Sequence, residues 1–159
     1  MPFPFDGLLL GINYTHISSE TTYPYRDEYT VGRPPRQTTV IVDSMRSGRM
    51  INQPNDIANI FVGYDYKGFS AKFTMTYQGN SVSFIGSFPE YDGFTDDYYR
   101  VDLSVRQTLP WKGLQLFLDV TNLNNRQNVS RQASIGGFTN QKNYGLQANL
   151  GVRYTYALD

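Results

Sequence analysis

Apolar and polar side chains alternate along six stretches of the chain, and in each stretch the apolar set keeps to one side. Residues 7–16 set Leu8, Leu10, Ile12 and Tyr14 against Leu9, Gly11, Asn13 and Thr15; residues 57–66 set Ala58, Ile60, Val62, Tyr64 and Tyr66 against Asn59, Phe61, Gly63 and Asp65. Residues 67–79 follow with Phe69, Ala71, Phe73, Met75 and Tyr77 opposite Ser70, Lys72, Thr74, Thr76 and Gln78. The pattern returns in residues 98–109, with Gln107 as its one exception, and again in 113–122 and 144–156. A period of two predicts strands with chemically different faces, and none of these stretches carries the period of an amphipathic helix. The expectation is six amphipathic strands in an all-β, antiparallel chain.

Alternation does not say which face is inside, because a soluble sandwich hides its apolar side and a membrane barrel turns it to lipid. The connections separate the two. Lys67-Gly68 and Pro110-Trp111-Lys112-Gly113 read as tight turns, whereas residues 17–56, 80–97 and 123–143 are long and rich in Asn, Ser, Gly, Arg and Asp. Short and long connections alternate, so all the long ones emerge at one end. Strands of about ten residues with aromatics near their ends (Tyr14, Tyr66, Phe69, Tyr77, Tyr99, Trp111, Tyr144, Tyr156) match transmembrane β-barrels, with short periplasmic turns and long extracellular loops. Residues 38–44, TTVIVDS, lack alternation and are assigned to a long external ribbon rather than to a seventh spanning strand.

Composition agrees. Hydrophobic residues make up 40% of the 159, below the roughly 45–50% of soluble domains, while 13 Tyr, 10 Phe and 14 Gly suit a β protein with polar surface to spare. Fourteen basic residues balance fourteen acidic ones, so no global field points to nucleic acid, and none is expected as a partner. Zero cysteines remove disulfides, thiolate metal sites and cysteine nucleophiles together. No stretch approaches the roughly 18 consecutive apolar residues of a membrane helix.

Three phrases carry a family resemblance: ANIFVGYDYKGFSAKFTMTYQG, DDYYRVDLSVRQTLPWKGLQLFLDVTNLNN and YGLQANLGVRYTY. They resemble the C-terminal end of TonB-dependent outer-membrane receptors, particularly the Bacteroidetes-type members, with LFLDVTNLNN and LGVRYTY the most telling segments. Residues 2–16 resemble an earlier strand of the same barrel, and Ala157-Leu158-Asp159 follow Tyr156 where such barrels end on an aromatic. The resemblance implies the last six strands of a larger barrel, taken from a fragment or an incomplete gene model. It also implies location in the outer membrane, contact with its lipid, and energised import of a scarce small-molecule nutrient (siderophore, vitamin or oligosaccharide). The plug domain, the remaining strands and the TonB-contacting segment would lie outside this sequence. Counting is consistent with that, since single-chain bacterial barrels have at least eight strands and plugged transporters about 22. Two rivals remain open: a non-transport outer-membrane barrel assembled as an oligomer or open sheet, and a soluble β-sandwich binding module.

Candidate site residues fall into two groups. Lys72, Arg100, Asp102, Arg106, Asp119 and Arg153 lie on the polar side of their strands and are expected to face a lumen and the plug, as a salt-bridged wall; Phe61 and Phe117 interrupt that side and are expected to pack on the plug or on a neighbour. Arg26, Arg33 and Arg36 in the first long loop suit an anionic or aromatic ligand. Asp92, Asp96 and Asp97 in the second offer hard oxygen atoms to a cationic one, although their spacing matches no calcium loop. His16 is the only histidine; Ser18 and Ser19 follow it, but no third group completes a triad. No catalytic residue, cofactor or metal site is expected.

Overall fold

A computed structural model describes residues 6–156, and the Ala157-Leu158-Asp159 tail, like residues 1–5 of the N-terminal stretch, lies outside the described residues. The chain is all-β and its strand pairings are antiparallel apart from one isolated bridge. All six patterned stretches form strands: β1 (Leu8–His16), β4 (Asp56–Tyr66), β5 (Phe69–Gln78), β8 (Tyr98–Thr108), β9 (Leu114–Thr121) and β12 (Gln147–Tyr154). They build one sheet in the order β1-β4-β5-β8-β9-β12, a meander in chain order. Only the last stretch is visibly shorter than its pattern, because Tyr144 to Leu146 precede the ladder.

Register places every apolar set on the same face. One row across the sheet reads Leu10, Val62, Phe73, Leu103, Val120, Ala148, and the next reads Leu8, Tyr64, Ala71, Val105, Leu118, Leu150. Most of that face is open, with Leu10 65% exposed, Ile12 69%, Phe73 45% and Leu150 79%, although Val120 in the first row is only 9% exposed. Among the described residues the buried hydrophobic core consists of Val82 and Val120 alone. Tyr14, Ala58, Tyr77 and Tyr99 form the row at the long-loop end, while Tyr66, Phe69 and Tyr154 stand at the other.

The short turns have defined causes. Lys67 and Gly68 both have positive φ, at 46° and 80°, the mirror-image two-residue turn whose twist matches a β-hairpin. At the second turn Gly113 has φ 78°, and an added Cβ there would stand 2.1 Å from the Thr155 carbonyl oxygen, so only glycine fits. The second hairpin also reaches two residues lower. Phe69, the first residue after the first turn, pairs with Gln107, and beyond the end of β8 the Leu109 N–H still donates to the Leu114 carbonyl at 2.9 Å.

The long connections contain strands that the sequence pattern did not reveal. β2 (Thr21–Arg33) and β3 (Arg36–Gly48) pair only with each other as a two-stranded ribbon, and residues 38–44 belong to it, outside the six-stranded sheet as expected. β6 (Ser81–Phe84), β7 (Gly93–Thr95), β10 (Gln127–Gln132) and β11 (Phe138–Asn143) form a four-stranded sheet in the order β11-β10-β7-β6, drawn from the second and third connections. The described residues include a single short helix, a 3-10 turn at Pro89–Tyr91. Among the described residues no helix is long and apolar enough to cross a membrane, and no sheet closes on itself: β1 and β12 each keep one unpaired edge.

Candidate functional site

The polar face of the six-stranded sheet gathers the first group of predicted residues. Lys72, Ser104, Asp119 and Asn149 share one row, with Asp102 in a row above and Arg106 in a row below. Their interactions differ from the expected salt-bridged wall. Arg100 and Asp102, two residues apart on β8, make the one ion pair of the set, at 3.0 Å. Asp119 accepts the Ser104 hydroxyl instead of a cation. Lys72 stands 4.5 Å over the Phe61 ring. Arg106 and Arg153 form no ion pair among the described residues; the nearest carboxylate by register, Asp65, shares the row of Arg106 two strands away.

Phe61 and Phe117 pack on neighbouring strands. Each ring lies over the glycine directly across from it, Gly11 and Gly151, where an added Cβ would come within 2.1 and 2.4 Å of ring carbons. An aromatic covering a cross-strand glycine restores the side-chain contact that the glycine lacks. Register, which pairs residues far apart in sequence, is the signal that finds this.

The Asn122-Leu123-Asn124-Asn125 run is a structural knot. Asn122 is buried with φ 58°, its amide donates to the Gly145 carbonyl at 2.8 Å, and its side-chain oxygen accepts the Arg126 N–H at 2.8 Å. Its own N–H donates to Asp102 at 3.0 Å. Asn124 imitates a strand residue beside β8, accepting the Val101 N–H and donating to the Tyr99 carbonyl. Asparagine is suited to this work because it tolerates the left-handed conformation and offers both a donor and an acceptor. Asp102 therefore ties the polar face to the loop knot, a role that the sequence did not suggest.

At the long-loop end, the ribbon and the second connection are joined by Arg46 and Asp92. The guanidinium donates to both carboxylate oxygens, Asp92 also accepts the Gly86 N–H at 2.9 Å, and Arg46 lies 5.9 Å from the centre of the Tyr25 ring. Burial pushes the Asp92 carboxyl upward, but the hydrogen bonds from Arg46 and Gly86 and the nearby positive charge outweigh it, leaving the group below its ordinary value. The Arg46 guanidinium is held above its ordinary value, chiefly by its hydrogen bond to Asp92, against the opposing effect of burial. Asp92 is thus a structural anchor and not an available ligand. Asp96 is likewise bound by Arg131 Nε at 2.9 and 2.7 Å, and Asp97 contributes its carbonyl to Arg126. No cluster of three metal-ligating side chains occurs among the described residues.

Arg26 separates from Arg33 and Arg36. Its N–H donates to the Ser87 carbonyl at 2.6 Å, which fixes the ribbon edge to the second connection and leaves a cleft of about 630 Å³ lined by Tyr25, Asp27, Glu28, Phe88 and Tyr91. Arg33 and Arg36 face one another across the ribbon tip, exposed. His16 Nδ1 lies 2.8 Å from Asp56, which also accepts the Tyr14 hydroxyl at 2.6 Å, while the Ser19 hydroxyl accepts the Met50 N–H. These contacts join β1 to β4 and set no serine against the imidazole.

Comparison with protein-family models, curated proteins and solved structures finds no match to this chain.

Proposed function

We propose that the six-stranded sheet is a section of the wall of an outer-membrane β-barrel, of the kind found at the C-terminal end of TonB-dependent receptors. One observation carries the reading: a sheet about 24 Å across, from five strand spacings of about 4.8 Å, leaves most of a continuous apolar face exposed, Val120 apart. With strands of about ten residues that face covers on the order of 700 Å², more than the few hundred that soluble monomers leave in water. A soluble sandwich would have covered it. The stagger of the turns adds support. Two residues over two strands, at about 3.3 Å per residue and 4.8 Å per strand, tilts the strands by about 35° when the turns lie level, within the range of membrane barrels.

In this reading the polar face lines the lumen and meets a plug domain, while the ribbon and the four-stranded sheet form the external surface. The complete receptor imports a scarce nutrient with energy supplied through TonB. Lys72, Arg106 and Arg153, with Asp119 in the row of Lys72 and Asp65 in that of Arg106, give the lumen a wall of mixed charge for the plug to dock against. The open edges of β1 and β12 also suit an oligomeric barrel, in which β12 of one copy pairs with β1 of the next.

These 159 residues contain no cysteine, so a topology test requires replacing only the cysteines elsewhere in the full-length receptor. Single cysteines at Ile135 and Lys112 of the full-length receptor are treated with a membrane-impermeant maleimide on intact cells. Labelling at 135 alone is expected, and labelling at 112 alone would invert the orientation. Deletion of the full-length receptor should impair growth on one limiting nutrient. Normal growth on every nutrient tested, with the membrane topology intact, would leave a barrel without transport.

A further inference from the structure

The outer half of the β2–β3 ribbon carries an amphipathic strip with a cationic end. Cross-strand pairs Tyr29–Val40, Val31–Thr38 and Arg33–Arg36 stack along one face, with Asp27–Val42 at its inner limit. Over six residues this strip is about 20 Å long. Tyr29, Val31 and Val42 are each two-fifths to one-half exposed, whereas the opposite face carries Glu28, Thr30, Thr39 and Gln37 with Ile41 as its one large apolar group. Arg33 and Arg36 have no ion-pair partner among the described residues although they stand directly opposite each other. Two like charges in that position repel unless an anion sits between them. A two-stranded ribbon by itself is marginally stable, so an apolar face on its free half requires a cover.

From this arrangement we infer that the ribbon docks on a lipid surface whose phosphate headgroups carry net negative charge, with the two guanidiniums on phosphate oxygens and the Tyr29, Val31, Val40 and Val42 side chains against the upper acyl region. Charge complementarity selects the occupant: the strip ends in two unpaired guanidiniums, groups that bind phosphate through paired N–H donors. Placing the ribbon beside a membrane rests on the barrel reading above, and the experiment separates the two.

With Trp111, the one tryptophan of these 159 residues, and any tryptophan elsewhere in the full-length protein replaced by Phe, one reporter is read at a time. Tyr29→Trp reports on the ribbon and Phe73→Trp on the wall, each in the full-length protein reconstituted in vesicles containing nitroxide-labelled lipid. Phosphatidylcholine is compared with phosphatidylcholine plus phosphatidylglycerol, and with phosphatidylcholine plus inorganic phosphate. The wall reporter should be quenched in every vesicle, and the ribbon reporter only where phosphatidylglycerol is present. Arg33→Gln with Arg36→Gln should weaken the ribbon's docking equilibrium roughly thirtyfold, about fivefold per guanidinium. Arg33→Lys with Arg36→Lys should retain most of it. A quenched wall with an unquenched ribbon, equal ribbon quenching in neutral vesicles, or indifference to the glutamine pair would each overturn the inference. Ribbon quenching in anionic vesicles beside an unquenched wall would keep this contact and remove the barrel.

Discussion

Phe73→Arg places a charge at the centre of the proposed lipid face. Phe69 and Tyr77 mark the aromatic ends of β5, each four residues from Phe73, so this position lies about 13 Å along the strand from either. With a tilt of about 35° the distance along the membrane normal is about 11 Å on each side, close to mid-depth. Arginine at that depth in a membrane barrel costs roughly 2–4 kcal/mol, and near the interface about 0–1 kcal/mol. Phe73→Arg should therefore lose several times as much stability as Phe69→Arg, and Lys72→Gln, on the opposite face, should be mild. Denaturant titration of the full-length protein folded in lipid vesicles supplies the three values. In water the expectation differs, because Phe73 is already 45% exposed and a surface substitution of that kind stays within about 0.5 kcal/mol. Equal costs at 69, 72 and 73 would refute the lipid-facing assignment.

Asn122→Ala strands the Arg126 N–H and the Gly145 carbonyl, and is expected to cost about 1–3 kcal/mol, seen as faster hydrogen exchange over residues 122–146. Asp92 is held below its ordinary value when folded, so the stability it contributes is complete above the unfolded carboxylate value of about 3.9 and is lost as pH falls through the lower folded value. Limited proteolysis of residues 80–97 should accelerate in that acid window, and Asp92→Asn should be cleaved readily at neutral pH as well. Gly113→Ala meets the Thr155 carbonyl in addition to the strain of positive φ, whereas Gly136→Ala, with nothing within 4 Å, meets the strain alone; thermal unfolding should rank the first well below the second.

The six strands were legible because each presents two chemically different faces, and period two survives in the sequence wherever that is so. The ribbon strands were not, since only the inner part of one face, at Tyr23, Tyr25 and Arg46, packs on the protein, and Pro24 interrupts β2. Residues 81–84 and 93–95 are too short to show a period at all. At the candidate site, side of the sheet was readable and partner was not: Lys72, Arg106 and Arg153 fall on the predicted face, but whether a cation meets a carboxylate, a ring or nothing depends on register across strands. Asp92 shows the same limit. In sequence it belongs to an acidic run, and only the fold brings Arg46, forty-six residues away, onto it.

Self-pairing of the ribbon changes the route by which the sheet can assemble. β4–β5 and β8–β9 close over a few residues, but β1 must find β4 across a connection of roughly forty residues. Once β2 has zipped to β3, Thr21 and Gly48 are neighbours and the flexible part of that connection shrinks to roughly eleven residues. Closure entropy grows as about (3/2)RT ln n, so the zipped ribbon lowers the barrier to joining β1 by about 1 kcal/mol. The same logic makes the tip the place where this chain can gain length: residues added between Arg33 and Arg36 enlarge a loop that is already closed, and leave the search of β1 for β4 unchanged.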